Sequence, residues 1–267
     1  MNVEMEEEAS SSGLELICNT KHRSAIMSLM IKKLSIYSLY FALWQGIAMV
    51  VNRPVILPSF VDVFLRLFNL LLTSDLYLHV SMTLIRVIQG TVLAFVLALI
   101  VALMTHESKL LKDLLSPLIL ITKTIPNITY ILLVLIWFAR ELSVIAVSFL
   151  ILFPVLYSQF KTGLDQINPE LIELFKLYPE GLVHKVSKVL VPLIKPYLFA
   201  GLKNGLSLGF KVGVMAEILG QVQPGLGYLM HIARMNFETT DLFAYTAIMI
   251  LVVVIIEKGI DLFLIKK

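Results

Sequence analysis

The chain has 267 residues, of which 58% are hydrophobic and only 15% are charged, and its mean hydropathy is +0.88. A typical soluble domain has about 45–50% apolar and about 25% charged residues. So few charges cannot cover a water-facing surface. The composition therefore indicates an integral membrane protein and excludes disorder, collagen-like repeats and a nucleic-acid-binding domain. The single cysteine, Cys18, excludes an internal disulfide.

Residues 1–33 are predicted to form a polar, cytoplasmic N-terminal tail. They do not resemble a secretory signal, because the first long apolar run begins only at Leu34 and no small-residue cleavage site follows it. Dense like charge resists folding, so the acidic cluster is predicted to be solvated. This cluster consists of Glu4, Glu6, Glu7 and Glu8.

Six apolar stretches follow the tail, and each is long enough for a transmembrane helix, since a bilayer core of about 30 Å needs about 20 helical residues. They are predicted at 34–51, 79–104, 114–138, 142–160, 194–219 and 241–257. Two shorter segments, 58–73 and 226–239, mix apolar and polar residues at helical spacing and are predicted to lie in the membrane interface. The predicted fold of 34–267 is therefore an all-α transmembrane domain of about six helices plus interfacial helices.

The lysines and arginines orient these spans. With the N-terminus inside, 14 of the 22 lie in inner segments, 4 in outer segments and 4 within spans. Positive residues concentrate on the cytoplasmic side of membrane proteins. Both termini are therefore predicted to be cytoplasmic, in a multi-pass protein of a bacterial-type inner membrane.

The inner segment 161–193 is too polar to span the bilayer and is predicted to form two short helices. Asn168 is a predicted N-cap before a proline at the first helical position. Pro179 and Gly181 interrupt the first helix. Two such helices indicate a cytoplasmic docking surface, and an interfacial hairpin without a partner is the alternative. The candidate docking residues are Glu170, Glu173, Leu174, Phe175, Tyr178, Pro179 and Gly181.

A series of short motifs runs in order through about residues 40–260. In addition to Glu173 and Pro192, it comprises Leu57-Pro58-Ser59, Leu84-Ile85-Arg86, Gly90, Ile125-Pro126, Trp137-Phe138, Glu141-Leu142-Ser143, Pro169-Glu170-Leu171, Ala200-Gly201-Leu202-Lys203, Ala216-Glu217, Gly225-Leu226-Gly227-Tyr228 and Thr240-Asp241. This order and spacing resemble the permease subunits of binding-protein-dependent ABC importers, in the nitrate/sulfonate/taurine-type branch. The cytoplasmic motif of that family reads Glu-Ala-Ala, three residues, Gly, and a later Leu-Pro. Glu173 matches its acid and Pro192 its last proline.

The docking motif departs from the family pattern at four positions. Leu174 and Phe175 replace the two alanines, Pro179 replaces the glycine, and Val191 replaces the leucine before the last proline. Proline and glycine both end a helix, so the break between the two short helices is expected to survive. Leu174 and Phe175 are bulkier than alanine, which implies that the partner protein has a docking groove of different shape. The geometry that couples the partner to this segment is expected to differ as well.

The resemblance implies a transport mechanism without covalent chemistry. Two permease subunits, identical or related, would form a pore, and each would dock a cytoplasmic ATPase through 161–193. An outer solute-binding protein would deliver the solute. The chain has no phosphate-binding loop, so ATP and Mg are expected on the partner ATPase, and no cofactor is expected on this chain. The resemblance leaves the solute open among nitrate, sulfonates, taurine and vitamin precursors.

Glycines recur at every fourth position of the fifth predicted span, at Gly201, Gly205, Gly209 and Gly213. Residues at this spacing form one groove along a helix. Such a groove allows close helix packing in membranes, either inside one subunit or at a dimer contact.

Charged residues inside the spans must face protein or water, because each costs about 2.5–3.5 kcal/mol at the centre of the bilayer. Arg86 and Glu217 are predicted to form a structural pair between helices. Lys203 could instead reach the interface with its ammonium group. Four basic groups against one acid favour an anionic solute. The residues predicted to line the translocation path are Lys123, Lys203, Ser207 and Lys211.

Three other classes of protein were weighed against an importer subunit. A stand-alone channel or secondary carrier would show inverted halves and broken helices. A membrane enzyme would need an acid–base or metal constellation. The five histidines are scattered without metal-ligand spacing and are predicted to be surface or interface residues. A structural anchor would not need charges deep in the spans.

Overall fold

The computed structural model describes residues 35–168 and 184–265, together with Met27, Lys32, Glu170, Leu171 and Gly181. Every regular element in these residues is helical, which confirms the predicted all-α class. The main helices are α1 (Ser35–Val51), α2 (Phe60–Leu71), α3 (Ser74–Glu107), α4 (Lys109–Thr124), α5 (Asn127–Trp137), α6 (Arg140–Asp165), α7 (Lys195–Gly220), α8 (Leu226–Met235) and α9 (Thr239–Ile265). A π-helical turn, Lys185–Leu190, and the short helix Val191–Leu193 lead into α7.

Three helices within the described residues, α3, α6 and α9, are long and apolar enough to cross a membrane. The pair α4 and α5 makes a fourth if it counts as one span. Helices α1 and α7 occupy the positions of the first and fifth predicted spans. The chain is thus a multi-pass membrane protein, and the total of six spans stays a prediction.

The predicted third span, 114–138, is not one straight helix. It consists of α4 and α5, whose axes differ by 99°. Ile125 stands at the break with an extended backbone, φ −71° and ψ 128°. A residue before proline is driven out of the helical region by the proline ring, so Pro126 accounts for the bend.

The chain divides into two compact units, residues 1–64 and 65–267. In the first unit, the indole of Trp44 donates to the Pro58 carbonyl at 3.2 Å, and the Phe60 amide donates to the Gln45 side chain at 2.9 Å. The rings of Phe41 and Phe60 are 4.3 Å apart. These contacts hold the end of α1 against the segment that begins α2.

The core of the second unit lies between α3, α6 and α7. Small buried side chains on α3, at Ala94, Ala98 and Ala102, let the helices approach closely. Gly90 on the same helix lies so near α6 that a Cβ there would be 2.7 Å from the Ile145 carbonyl oxygen. The larger side chains that fill this core are Leu152, Leu156, Phe160, Leu164, Ile194 and Phe210, all fully buried.

A polar contact joins α2 to the start of α9. Arg66 donates two hydrogen bonds to the Asp241 carboxylate, at 2.7 and 2.6 Å. These bonds raise the pKa of the Arg66 guanidinium above its ordinary value. The Arg66 guanidinium therefore stays charged, and the bidentate geometry of the contact fixes the angle between the two helices.

Candidate translocation and docking sites

A buried ion pair joins α3 to α7. Arg86 Nη1 donates to Glu217 Oε1 at 3.0 Å, and the two side chains are 4% and 0% exposed. The same nitrogen donates to the Pro224 carbonyl at 2.5 Å, and Glu141 lies 3.6 Å from the other terminal nitrogen. The structure thus brings together the two charges that the sequence predicts to form a structural pair.

The Glu217 carboxylate also fixes the loop between α7 and α8. Its Oε2 accepts hydrogen bonds from Thr83 Oγ1 at 2.8 Å and from the Gly227 amide at 3.0 Å. Thr83 in turn accepts from the Leu226 amide at 2.8 Å. A buried carboxylate needs several such donors to offset its lost hydration. The network therefore links α3, α7 and the start of α8.

His79 belongs to the same network, and its predicted surface or interface position is wrong. The ring is 6% exposed, and Nδ1 lies 2.9 Å from the Gly225 carbonyl oxygen and 3.0 Å from its amide nitrogen. His79 precedes Thr83 by four residues, and Arg86 follows Thr83 by three. His79, Thr83 and Arg86 are polar residues at helical spacing in an apolar span. This pattern is the sequence signal that they share one buried face of α3.

The glycine stripe of α7 packs inside the chain. A Cβ at Gly201 would lie 2.6 Å from the Phe160 ring on α6, and one at Gly213 would overlap a methyl group of Val87 on α3. All four glycines of the stripe are buried. The sequence leaves two packing partners open, helices of the same subunit and a dimer partner. The structure shows that the glycines contact α3 and α6 of the same subunit.

The opposite side of α7 carries polar contacts with α9. Lys203 Nζ lies 2.7 Å from both Asp261 oxygens, and Ser207 Oγ donates to Glu257 Oε1 at 2.8 Å. The sequence alone does not single out Glu257 or Asp261, because both lie among other charged residues near the end of the last predicted span. These contacts give Lys203 and Ser207 partners on α9, and their part in the path stays a prediction.

Exchanging Lys203 for glutamine and Asp261 for asparagine, singly and together, is expected to reveal a coupling energy of about 0.2–1 kcal/mol. The value is small because the two side chains are 33% and 47% exposed. Unfolding of the detergent-solubilised variants measures it through a double-mutant cycle. A coupling of zero would show that the pair does not hold α7 against α9.

The other two predicted path residues are exposed. Lys211 lies on the outer surface of α7, and Lys123 lies at the end of α4. Lys123 borders an open cavity of about 320 Å³ between α4 and α6, whose wall also contains Lys112 and Lys161. Path residues from α4 and α7 are therefore not brought to one point in this subunit.

The docking segment is described at its two ends. The Glu170 amide donates to Asn168 Oδ1 at 3.0 Å, as predicted for an N-cap, and Glu170 and Gly181 are both exposed. At the far end, Lys185 binds both Glu107 oxygens, at 2.8 and 2.9 Å. This contact ties the end of the segment to the last turn of α3. The other predicted docking residues, Glu173, Leu174, Phe175, Tyr178 and Pro179, lie outside the described residues.

Residues 90–263 match the family model of the binding-protein-dependent transport system inner membrane component. The chain belongs to this family. The match covers more than half of the chain and extends from the middle of α3 to the end of α9, so it includes the α3–α6–α7 core and the docking segment.

Two curated relatives of this family member cover most of its length. The putative aliphatic sulfonates transport permease protein of Bacillus subtilis is 26% identical over 80% of this chain and 78% of its own. A putative ABC transporter permease protein of Methanocaldococcus jannaschii is 27% identical over 93% and 92%. Both relatives are named as transport permeases, in agreement with the family to which this chain belongs.

A solved structure supports the fold of this family member. The crystal structure of an amino acid ABC transporter with histidines superposes with a TM-score of 0.59, covering 69% of this chain and 90% of that one. Identity is 16%, so the likeness concerns the fold alone. Among the described residues, no group of three histidine, cysteine, aspartate or glutamate side chains is placed to hold a metal ion.

Proposed function

We propose that this chain is the pore-forming permease of an ATP-driven importer for a small anionic solute. Two copies would form the pore, each docking a cytoplasmic ATPase that binds ATP and Mg, and an outer binding protein would supply the solute. The family match over residues 90–263 is the observation that carries this proposal. Both termini would be cytoplasmic, as the distribution of lysines and arginines predicts.

The docking role of 161–193 is supported by how the segment is attached. Its start is capped by Asn168, directly after α6, and its end is tied to α3 through Lys185 and Glu107. The helices α3 and α6 pack against the glycine face of α7. Movement of a docked ATPase would therefore reach the α3–α6–α7 core through two separate attachments.

An anionic solute is supported by the lysines that line the cavity. No described carboxylate lies within 4.0 Å of Lys112 or Lys123, so their charges are uncompensated in the described part of the subunit. A concave surface of one sign raises the local concentration of ions of the opposite sign. The name of the Bacillus subtilis relative, an aliphatic sulfonates permease, agrees with this charge preference.

Affinity purification in mild detergent tests the importer function. The wild type is expected to carry one ATPase subunit per permease, identified by mass spectrometry. A variant with Phe175→Asp and Glu173→Arg is expected to lose it, because the change puts charge into an apolar contact and reverses an ion-pairing group. The readout is the stoichiometry of the nucleotide-hydrolysing partner.

A matched control carries the same two residue changes elsewhere. Phe237→Asp with Glu238→Arg alters exposed residues between α8 and α9, on the predicted outer side. This control is expected to keep the ATPase. A permease that purifies alone in all three forms would contradict the proposal, and an ATPase retained by the docking variant would contradict the docking segment.

A stand-alone channel or secondary carrier is the second candidate function. The 99° break between α4 and α5 favours it, because such transporters use broken helices at their binding sites. Solute flux into liposomes that hold the permease alone, without ATP, would support this alternative. The importer function requires that such flux be absent.

A further inference from the structure

The cavity between α4 and α6 is lined by basic and hydroxyl side chains together with the apolar side chains of Ile119 and Leu120. Its volume of about 320 Å³ is roughly ten times the volume of a liquid water molecule, enough for a small organic ion. It runs along α4 from Lys112 to Lys123 and along the last turns of α6, so one end of it reaches the predicted cytoplasmic end of the subunit. Its lysine, serine and threonine residues are Lys112, Lys123, Lys161, Ser116, Ser158 and Thr162.

The charge of this cavity is positive. Three lysines line it against one carboxylate, Asp165, which gives a formal charge of 3 − 1 = +2. Asp165 pairs with Lys161, four residues earlier on α6. The ammonium groups of Lys112 and Lys123 are left without a described acidic partner. An anion that entered the cavity would meet two uncompensated cations and a third that is already paired.

Lys112 and Lys123 also supply the hydrogen-bond donors of the cavity that have no described partner. The hydroxyls of Ser116, Ser158 and Thr162 each donate to a carbonyl of their own helix, at 2.6 to 2.8 Å. Each lysine ammonium carries three donors and no acceptor. Binding would therefore depend on the lysines, and it would select ligands by negative charge and acceptor oxygens.

The three lysines line one cavity from two helices. Lys112 and Lys123 are eleven residues apart on α4, about three turns and about 16 Å, and they share one face of the helix. Lys161 faces them from α6. That distance separates the backbone positions of the two lysines, and their side chains line the same cavity as Lys161.

We infer that this cavity binds the oxyanion group of a sulfonate or phosphate through Lys112, Lys123 and Lys161. The inference rests on the proposed function for its place at the cytoplasmic side, and it deepens that function by naming an inner site of the path. Two kinds of ligand carry such an oxyanion group. One is a solute leaving toward the cytoplasm, and the other is the headgroup of an anionic phospholipid, which binds basic pockets between helices on that side.

Lysine acetylation, read residue by residue by mass spectrometry, tests the inference on the full-length protein. The first arm uses nanodiscs of neutral phosphatidylcholine with ethanesulfonate as the probe, and the second uses nanodiscs containing phosphatidylglycerol without sulfonate. Probe at about ten times its Kd should slow acetylation of Lys112, Lys123 and Lys161 about tenfold. Lys109, exposed on the same helix but outside the cavity, should react at an unchanged rate.

The two arms identify the source of the oxyanion. Protection by ethanesulfonate assigns the site to solute, and protection by phosphatidylglycerol assigns it to lipid. Both outcomes support an oxyanion site. Absence of protection in both arms would overturn the inference, and so would equal protection of Lys109, because that result indicates general charge screening.

Variants separate binding from loss of structure. Protection of Lys161 should be lost in Lys112→Gln with Lys123→Gln and retained in Lys109→Gln. A Lys161 that stays protected in the double variant would contradict a shared site.

If the ATPase co-purifies but no lysine is protected, this inference alone fails. If lysines are protected but no ATPase is captured, the importer function fails and the oxyanion site stands.

Discussion

Replacing Glu217 with alanine is expected to destabilise the folded subunit by about 3–5 kcal/mol, because it leaves Arg86 charged and buried without its partner. Arg86 is 3% exposed and Glu217 is fully buried. The change also removes the acceptor of the Thr83 hydroxyl and the Gly227 amide. Thermal unfolding of the detergent-solubilised protein, followed by circular dichroism, measures the loss.

Glu141 offers the matched control for this prediction. Its carboxylate lies 3.6 Å from Arg86 Nη2, but it is 68% exposed. Because exposed ion pairs contribute only about 0–1 kcal/mol, Glu141→Ala is expected to change stability little. Equal stability of the Glu217→Ala variant and the wild type would show that the buried network does not hold α3 to α7.

Replacing Gly213 with alanine is expected to destabilise the subunit by about 1–3 kcal/mol through overpacking. The new Cβ would overlap the Cγ2 methyl of Val87, well inside the 3.0 Å that real Cβ atoms keep. Val87 is β-branched and buried, so its rotamer cannot change freely. α7 would have to move away from α3, and unfolding measurements would report the cost.

Gly205→Ala is the control on the same helix face. Its Cβ would lie 3.4 Å from a Leu156 methyl, which is ordinary contact. Alanine also favours a helix over glycine by about 0.5–1 kcal/mol. Gly205→Ala is therefore expected to be neutral or slightly stabilising. Equal destabilisation by both changes would show that helix packing on this face does not depend on the individual contacts.

Together these contacts describe α7 as a helix with two different sides. Its glycine side packs against α3 and α6, and its C-terminal end is held by the Glu217 network. Its other side carries the partly exposed contacts with α9 and the exposed Lys211. Changes during transport are therefore expected on the second side, where separation exposes no buried charge.

The amino-acid sequence by itself determined the class of the protein and the identity of its special residues. Apolar runs of about 20 residues have one stable form in a bilayer, so the all-α fold followed from composition and length. The charges inside the spans had to face protein or water, with a pair predicted between Arg86 and Glu217, and the glycine repeat predicted a packing face. The N-cap at Asn168 followed from local hydrogen-bonding chemistry.

The tertiary structure alone decided which groups meet. Whether the glycines face their own subunit depends on the arrangement of α3 and α6, which helical periodicity does not contain. The pairing of Lys203 with Asp261 joins positions 58 residues apart, and the burial of His79 depends on a loop 146 residues away. Local patterns specify which face of a helix is polar or small. Only the packing of distant segments specifies what lies against it, because that choice is made by the whole core at once.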